Sequence, residues 1–80
     1  MPNMQAGITI NGRKIQLERL RKGLTLRDLA ARCAEHGCDV DPSVLSRTER
    51  GSQPSPRLLP ALAAALGLDV DDLLVIDDAA

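Results

Sequence analysis

Helix start signals alternate with glycines along most of this 80-residue chain. Short polar side chains that can accept a hydrogen bond from the first turn of a helix occur at Asn11, Thr25, Asp41, Ser55 and Asp69. The first four are followed by glycines that can end a helix, namely Gly23, Gly37, Gly51 and Gly67. Pro42 and Pro56 directly follow two of these caps, where a missing amide costs nothing. The pattern predicts five short helices, over about 12–22, 26–36, 42–50, 56–66 and 70–75.

The spacing and type of the apolar residues agree with this prediction. Leu26, Leu29, Ala30 and Cys33 repeat at helical intervals, as do Leu59, Leu62, Ala63 and Leu66. The chain has no aromatic residue, so its core must consist mainly of Leu, Ile, Val and Ala. Pro60 lies inside the fourth predicted helix, where we expect a slight kink or a looser first turn. The sequence therefore predicts an all-α, five-helix bundle.

The two ends of the chain are expected to be less ordered. Residues 8–10 alternate like a strand, but their only candidate partners are Val75 and Ile76. We therefore predict a flexible N-terminal arm over residues 1–10, a folded domain over 11–76 and a frayed tail over 77–80.

Charge is distributed unevenly between the two parts of the chain. Residues 1–57 contain all ten Lys and Arg and six acids, whereas residues 58–80 contain five Asp and no base. The formal net charge of −1 thus hides a basic part that can face phosphates and an acidic part that can point away. Many soluble domains share such an asymmetry, so it is weak evidence alone.

The third predicted helix has two different faces. Leu45 and Thr48 point to one side, and Pro42, Ser43, Ser46, Arg47 and Arg50 to the other. Arginine can bind guanine in the major groove of DNA, and serine can contact bases or phosphates. Taken alone, this face is equally well explained as an ordinary solvated surface. Further donors lie in the following loop and at the starts of the second and fourth helices, at Ser52, Gln53, Arg57, Thr25 and Arg27.

Several motifs together resemble a known family. These are G-L-T-x-x-x-L-A over 23–30, S-R-T-E-R-G over 46–51, P-S at 54–55 and L-A-x-A-L-G-L over 62–68. In this order they are similar to the xenobiotic-response-element (XRE), Cro and phage-repressor helix-turn-helix family, over about residues 12–75. The resemblance implies five helices and a homodimer that binds a palindromic operator on double-stranded DNA.

The resemblance also implies roles for individual residues. The start of the recognition helix falls on Pro42, Ser43 and Val44, and the deeper base-contacting position on Arg47. With the donors identified above, the predicted base contacts are Ser43, Val44, Ser46 and Arg47. The predicted phosphate contacts are Thr25, Arg27, Arg50, Ser52, Gln53 and Arg57. The family commonly pairs the Glu of the R-x-E-R-G stretch with an Arg of the first helix, which implies a structural ion pair between Arg19 and Glu49.

Three positions depart from the family pattern. Leu26 replaces the usual phosphate-contacting Gln, so that contact is not carried over. The stretch from Ala30 to Ser46 is about five residues longer than usual, which we interpret as an extra turn of helix and a longer loop. Leu17-Glu18 precedes Arg19 where the family more often has Leu next to the Arg, which leaves the packing register of the first helix open.

The cysteines and the single histidine do not indicate a metal site or an enzyme. Cys33, His36 and Cys38 are one ligand short of a structural zinc site, and Cys33 lies on the apolar stripe of the second helix. We therefore expect a buried structural cysteine, no disulfide in a reducing cytoplasm and no metal or other cofactor, with a redox role left open. The sequence shows no nucleophile with a base and an orienting group, so we do not expect an enzyme.

The sequence thus predicts a cytoplasmic DNA-binding transcriptional regulator, most simply a repressor, with its recognition helix over 42–50. The alternative is a protein-interaction module, such as an antitoxin, that binds a partner protein through the apolar cluster Leu73–Ile76. We expect neither a secretory signal nor a membrane span.

Overall fold

A computed structural model describes residues 7–77, and most of them are helical. The elements in chain order are β1 (Gly7–Ile10), α1 (Gly12–Arg21), α2 (Leu26–Glu35), α3 (Pro42–Glu49), α4 (Leu58–Leu66), a 3₁₀ helix (Val70–Leu73) and β2 (Leu74–Asp77). The mainly helical architecture is confirmed, but the described residues form four α-helices rather than five.

The first three helices begin at the predicted caps. The Asn11 side chain accepts a hydrogen bond from the Lys14 amide at 3.1 Å, and the Asp41 side chain accepts one from the Ser43 amide at 2.9 Å. Thr25 and Asp28 form a reciprocal capping box at the start of α2. These contacts satisfy first-turn amides that have no partner within their own helix, so the helix starts are set locally by sequence.

The prediction of a flexible arm over residues 1–10 is wrong for residues 7–10, which form a strand. Gly7–Ile10 pairs antiparallel with Leu74–Asp77, with Ile10 opposite Leu74. The Asn11 amide also donates to the Leu73 carbonyl at 2.7 Å, which links the residue after β1 to the residue before β2. Backbone pairing and β-branched residues at positions 8–10 and 75–76 therefore favour a strand at the end of the predicted fifth helix. Only four residues of 3₁₀ helix form there. The rest of the predicted arm and residues 78–80 of the predicted tail lie outside the described residues.

Helix α4 lies at the centre of the core. Six of its nine residues are buried, and Leu58, Leu62 and Leu66 are almost or completely inaccessible. The other helices contribute further fully buried side chains to the same cluster, namely Ile15, Leu29, Cys33 and Leu45, and Leu73 of the 3₁₀ helix joins them. The prediction that Cys33 is a core residue is confirmed.

Pro60 causes less disturbance than predicted because α4 begins later than expected. The helix starts at Leu58 rather than at Pro56, so Pro60 is its third residue. A first-turn amide has no carbonyl to bond within the helix, and the missing amide of Pro60 is therefore tolerated. Ser55 supports this start, since its side-chain oxygen accepts from the Leu58 amide at 3.2 Å.

The register of α1 places a carboxylate on the buried face. Glu18 is buried, whereas Leu17 and Leu20 are exposed. Three cations of the same helix surround the Glu18 carboxylate: Arg21 at 3.1 Å, Lys22 at 3.6 Å and Lys14 at 3.8 Å. The departure from the family pattern at Leu17-Glu18 is thus accommodated by pairing the buried charge within α1.

Gly12 allows α1 to approach the end of α3 closely. A Cβ atom added at Gly12 would lie 2.6 Å from the Thr48 carbonyl oxygen, and it would also overlap the Glu49 carbonyl oxygen. Both obstacles are backbone atoms, which cannot move aside as a side-chain tip can. The two helices can keep this distance only with glycine at position 12.

We expect Gly12→Ala to destabilise the fold by about 1–3 kcal/mol, because the new methyl group must push α1 away from α3. Alanine has the better intrinsic helix propensity by about 1 kcal/mol, so without the clash the substitution would stabilise α1. Urea denaturation gives the sign directly. Gln16→Ala, at an exposed position of the same helix, serves as the control and is expected to leave stability nearly unchanged.

Candidate nucleic-acid interface

Helix α3 separates a buried side from an accessible side. Leu45 and Thr48 are buried, and the Thr48 hydroxyl donates to the Val44 carbonyl at 3.0 Å. Ser43 and Arg47 are exposed, one helical turn apart. The accessible side therefore has a hydroxyl and a guanidinium group in line along the helix.

The remaining predicted base contacts lie beside this line. Val44 and Ser46 are half-buried, so only part of each side chain reaches the surface. Arg50 follows the last residue of α3, and its guanidinium donates to the Ser46 hydroxyl at 3.3 Å. The structure thus brings a predicted base contact and a predicted phosphate contact into direct hydrogen bonding.

The other predicted phosphate contacts are exposed without exception. They are Thr25 and Arg27 at the start of α2, Ser52 and Gln53 after α3, and Arg57 before α4. The Ser52 amide already donates to the Arg47 carbonyl at 3.0 Å, so Ser52 can offer only its side chain to a ligand. The amides of Thr25 and Leu58 are likewise engaged, by Asp28 and Ser55 respectively. Contacts from these segments therefore depend on side chains more than on free amides.

The loop between α2 and α3 lies between two of these arginines. One cavity, of about 670 Å³, is lined by Arg27 on α2, by Asp39 and Asp41 ahead of α3 and by Pro42, the first residue of α3. A second, of about 290 Å³, is lined by Gly37, Cys38 and Asp39 together with Ser55 and Arg57. Asp39 is common to both cavities, so Arg27 and Arg57 flank the loop that leads into α3.

Two carboxylates beside this surface are held by backbone amides. The hydrogen bond from the Thr25 amide lowers the pKa of Asp28, and the bond from the Ser43 amide lowers the pKa of Asp41. Both groups are therefore ionised at neutral pH. They face the first turns of α2 and α3, where negative charge stabilises the positive end of a helix.

A buried ion pair fixes α3 relative to the rest of the domain. Arg19 Nε donates to Glu49 Oε2 at 2.6 Å, and its Nη2 donates to Oε1 at 3.1 Å. The Arg19 and Glu49 side chains are only 12% and 5% exposed. Hydrogen bonding to Glu49 raises the pKa of Arg19. These are the two residues for which the family resemblance implies an ion pair, and here they join α1 to the last residue of α3.

Arg19 has a further contact that the sequence did not indicate. Its Nη1 donates to the Leu24 carbonyl at 2.9 Å, in the loop before α2. One guanidinium group thus connects α1, the end of α3 and the entry to α2. Neither this bond nor the close approach at Gly12 has a recognisable signal in the sequence, because both depend on distant backbone atoms.

The described residues contain no group of three metal-ligating side chains, and Cys33 and Cys38 are free thiols. The apolar residues at 73–75 do not form one exposed surface either. Leu73 is fully buried and Leu74 half-buried, whereas Val75 is 43% exposed. No helix in residues 7–77 has the length and apolar character that a bilayer crossing requires.

Comparison with models of known protein families gives a match. A family model described as a helix-turn-helix domain matches residues 12–74, which is most of the chain and nearly the range over which the motifs resemble the XRE-type family. No curated protein and no solved structure matches the chain.

We expect Arg19→Ala to destabilise the fold by about 3 kcal/mol, because it leaves the Glu49 carboxylate buried without its partner. Arg21→Ala is the matched control, since Arg21 pairs with Glu18 from a side chain that is 70% exposed, and it should cost less than about 1 kcal/mol. A double-mutant cycle with Glu49→Gln measures the coupling. Additive effects of the two substitutions would contradict the stabilising ion pair.

We expect Asp41→Ala to lower the melting temperature at neutral pH, because the first turn of α3 loses its cap. Since the pKa of Asp41 in the fold lies below its ordinary value of 3.8, the cap contributes fully above that pH and is lost as the pH falls through the lowered value. The difference from the unsubstituted protein should therefore shrink below about pH 4. Asp41→Asn keeps an acceptor that does not titrate, so the difference in melting temperature between Asp41→Asn and Asp41→Ala should stay constant with pH. A gap between Asp41→Ala and the unsubstituted protein that stays constant down to pH 2 would contradict the assignment.

Proposed function

Because the chain belongs to the helix-turn-helix domain family, we propose that it is a sequence-specific DNA-binding transcriptional regulator that represses by binding a palindromic operator as a homodimer. The observation that carries this proposal is the accessible side of α3. Ser43 and Arg47 are exposed on this side, while Leu45 and Thr48 are buried in the core on the opposite side. Such a helix can enter the major groove without disturbing the fold that holds it.

The proposed base contacts are Ser43, Val44, Ser46 and Arg47. Arg47 is the centre of this set, because a guanidinium group can bind O6 and N7 of guanine at the same time. Ser43 and Ser46 can donate to or accept from either bases or phosphates. Val44 is half-buried and offers an apolar edge, which suits contact with a thymine methyl group.

The proposed phosphate contacts surround α3. Exposed donors lie on both sides of it, at Thr25 and Arg27 on α2, at Arg50, Ser52 and Gln53 after α3, and at Arg57 before α4. Contacts of this kind fix the position of a protein on the duplex without distinguishing sequences. The acidic 3₁₀ segment would point away from the DNA, which agrees with its exposed Asp69, Asp71 and Asp72.

The homodimer follows from the symmetry of the proposed operator. Two copies related by a twofold axis would place their recognition helices about 34 Å apart, one turn of B-DNA. Selection of bound duplexes from random DNA tests the function and the dimer together. We expect an inverted repeat with half-site centres about one helical turn apart, and the absence of any enriched sequence would contradict the proposal.

We expect Arg47→Ala to weaken operator binding by about 1–3 kcal/mol and to relax the preference at one base pair. The reason is the loss of a two-point contact with a single base. Fluorescence anisotropy on the selected operator and on single-base variants measures both effects. Arg21→Ala, on the exposed side of α1, is the control and should leave both affinity and preference unchanged. Unaltered binding by Arg47→Ala would remove Arg47 from the proposed contacts.

We expect Arg57→Ala to weaken binding to all sequences alike, because a phosphate contact has no base preference. The plot of log affinity against log salt concentration should become shallower by about one unit, the contribution of a single neutralised phosphate. Titrations at several salt concentrations measure this slope. A change of preference at one base pair, with the slope unaltered, would contradict the assignment.

A second candidate function is a protein-interaction module that binds a partner through β2. Val75 favours it, because this large apolar side chain is exposed. The burial of Leu73 makes this the weaker proposal, since that side chain cannot contribute to a surface for a partner. Sedimentation of the pure protein separates the two, because a stable dimer that covers Val75 leaves that surface unavailable to another protein.

A further inference from the structure

The C-terminal end of α2 brings two cysteines together through the backbone. The Cys38 amide donates to the Cys33 carbonyl at 3.0 Å, and the Gly37 amide donates to the Ala34 carbonyl at 3.0 Å. Gly37 has a φ of +85°, which completes a Schellman motif. In this motif the side chains at the positions of Cys33 and Cys38 frequently touch each other.

The hydrogen bond limits the distance between the two residues. With a carbonyl and an amide joined at 3.0 Å, the Cα atoms of Cys33 and Cys38 can lie no more than about 7 Å apart, and a bent arrangement brings them closer. A disulfide spans Cα atoms roughly 4.4–6.8 Å apart. The backbone therefore keeps the two Cα atoms within the range that a disulfide can span without unfolding α2.

The two thiols differ in access. Cys33 is fully buried, whereas Cys38 is half-buried at the edge of the same core. Burial, with a smaller effect from the neighbouring Cys38 thiolate, raises the pKa of the Cys33 thiol to about 11. Cys38 is thus the thiol that reacts first with a reagent, and Cys33 is the thiol that reacts second.

The cavity in front of Cys38 suits a small anionic reagent. It measures about 290 Å³ and is lined by Gly37, Cys38, Asp39, Ser55 and Arg57. Arg57 is exposed, so its guanidinium can attract an anion to this opening. Asp39 opposes that attraction, which makes the cavity a site of access rather than a tight binding pocket.

We propose that Cys33 and Cys38 form a redox-active dithiol site that closes to an intramolecular disulfide on reaction with a small anionic disulfide of the glutathione type. The Cys38 thiolate attacks one sulfur of the reagent, forms a mixed disulfide and releases the first reagent thiolate. The Cys33 thiolate then attacks the Cys38 sulfur, forms the Cys33–Cys38 disulfide and releases the second. The two cysteines lose two electrons and two protons in total, and the reagent disulfide is reduced to two thiols.

The second step is fast despite the low thiolate fraction of Cys33, because it is intramolecular. Two reacting groups that are held close together in one molecule have a very high effective concentration. The mixed disulfide should therefore be short-lived in the folded protein. This proposal is independent of the proposed DNA binding, because the two reacting thiols lie at the end of α2 and in the loop that follows, and none of the proposed base contacts takes part in the reaction.

Ellman's reagent, an anionic aromatic disulfide, tests the proposal on the full chain. Absorbance counts the thiolate ions released, and intact-mass measurement detects any reagent left on the protein. For the unsubstituted chain we expect two thiolates released per molecule and a monomeric product that lacks two hydrogen atoms and carries no adduct. A stable adduct on either cysteine, or a disulfide-linked dimer as the main product, would overturn the proposal.

Single substitutions separate the roles of the two thiols. Cys33→Ala and Cys33→Val should each release one thiolate and keep one adduct on Cys38, and the two side chains are respectively smaller and larger than the cysteine that they replace in the core. Cys38→Ala should react at least about tenfold more slowly than the unsubstituted chain, because the remaining thiol, Cys33, is fully buried and its raised pKa of about 11 leaves little thiolate. Circular dichroism confirms that each variant is folded. A Cys38→Ala variant that is folded and reacts as fast as the unsubstituted chain would contradict the assigned order of attack.

Discussion

The ion pair between Arg19 and Glu49 holds the helices of this domain in their mutual arrangement. Arg19 makes two hydrogen bonds to the Glu49 carboxylate and one to the Leu24 carbonyl. It thereby connects α1, the last residue of α3 and the loop before α2. A planar guanidinium group can make these three bonds at once, which a lysine ammonium cannot reproduce with the same geometry. The position of α3, and with it the proposed DNA-binding surface, depends on this contact.

Backbone proximity at Gly12 supports the same arrangement. The absence of a side chain lets the start of α1 lie against the carbonyl groups of Thr48 and Glu49. Leu45 and Thr48 anchor the inner side of α3 in the core. The outer side remains accessible, with the exposed arginines Arg27, Arg50 and Arg57 around it and the carboxylates of Asp28 and Asp41 beside it. A helix whose inner side is packed into the core and whose outer side is accessible is suited to entering a groove of DNA.

Local signals in the sequence were sufficient to predict the helix starts. Asn11, Thr25 and Asp41 each cap the helix that follows, because a cap is a contact within three residues. The exposed side of α3 also followed from helical spacing alone. These parts of the fold and of the candidate site needed no knowledge of distant residues.

Contacts between distant residues explain what the sequence did not reveal. The pairing of β1 with β2 joins residues about as far apart as the chain allows, and four-residue strands of this kind carry little signal of their own. The burial of Glu18 depends on three cations that α1 supplies, and Leu17 and Leu20 are exposed as a result of this register. The late start of α4, which makes Pro60 harmless, depends on the hydrogen bonds at Ser55.

We propose that the accessible side of α3, with its surrounding donors, is the surface that binds DNA. Titration of isotopically labelled protein with the selected operator duplex, followed by nuclear magnetic resonance, shows which residues the duplex contacts. We expect the largest amide shift changes within 25–28, 43–53 and 57–59, and little change within 16–21 and 69–75. Changes concentrated on the outer side of α1 or on the 3₁₀ helix and β2, with α3 unaffected, would contradict it.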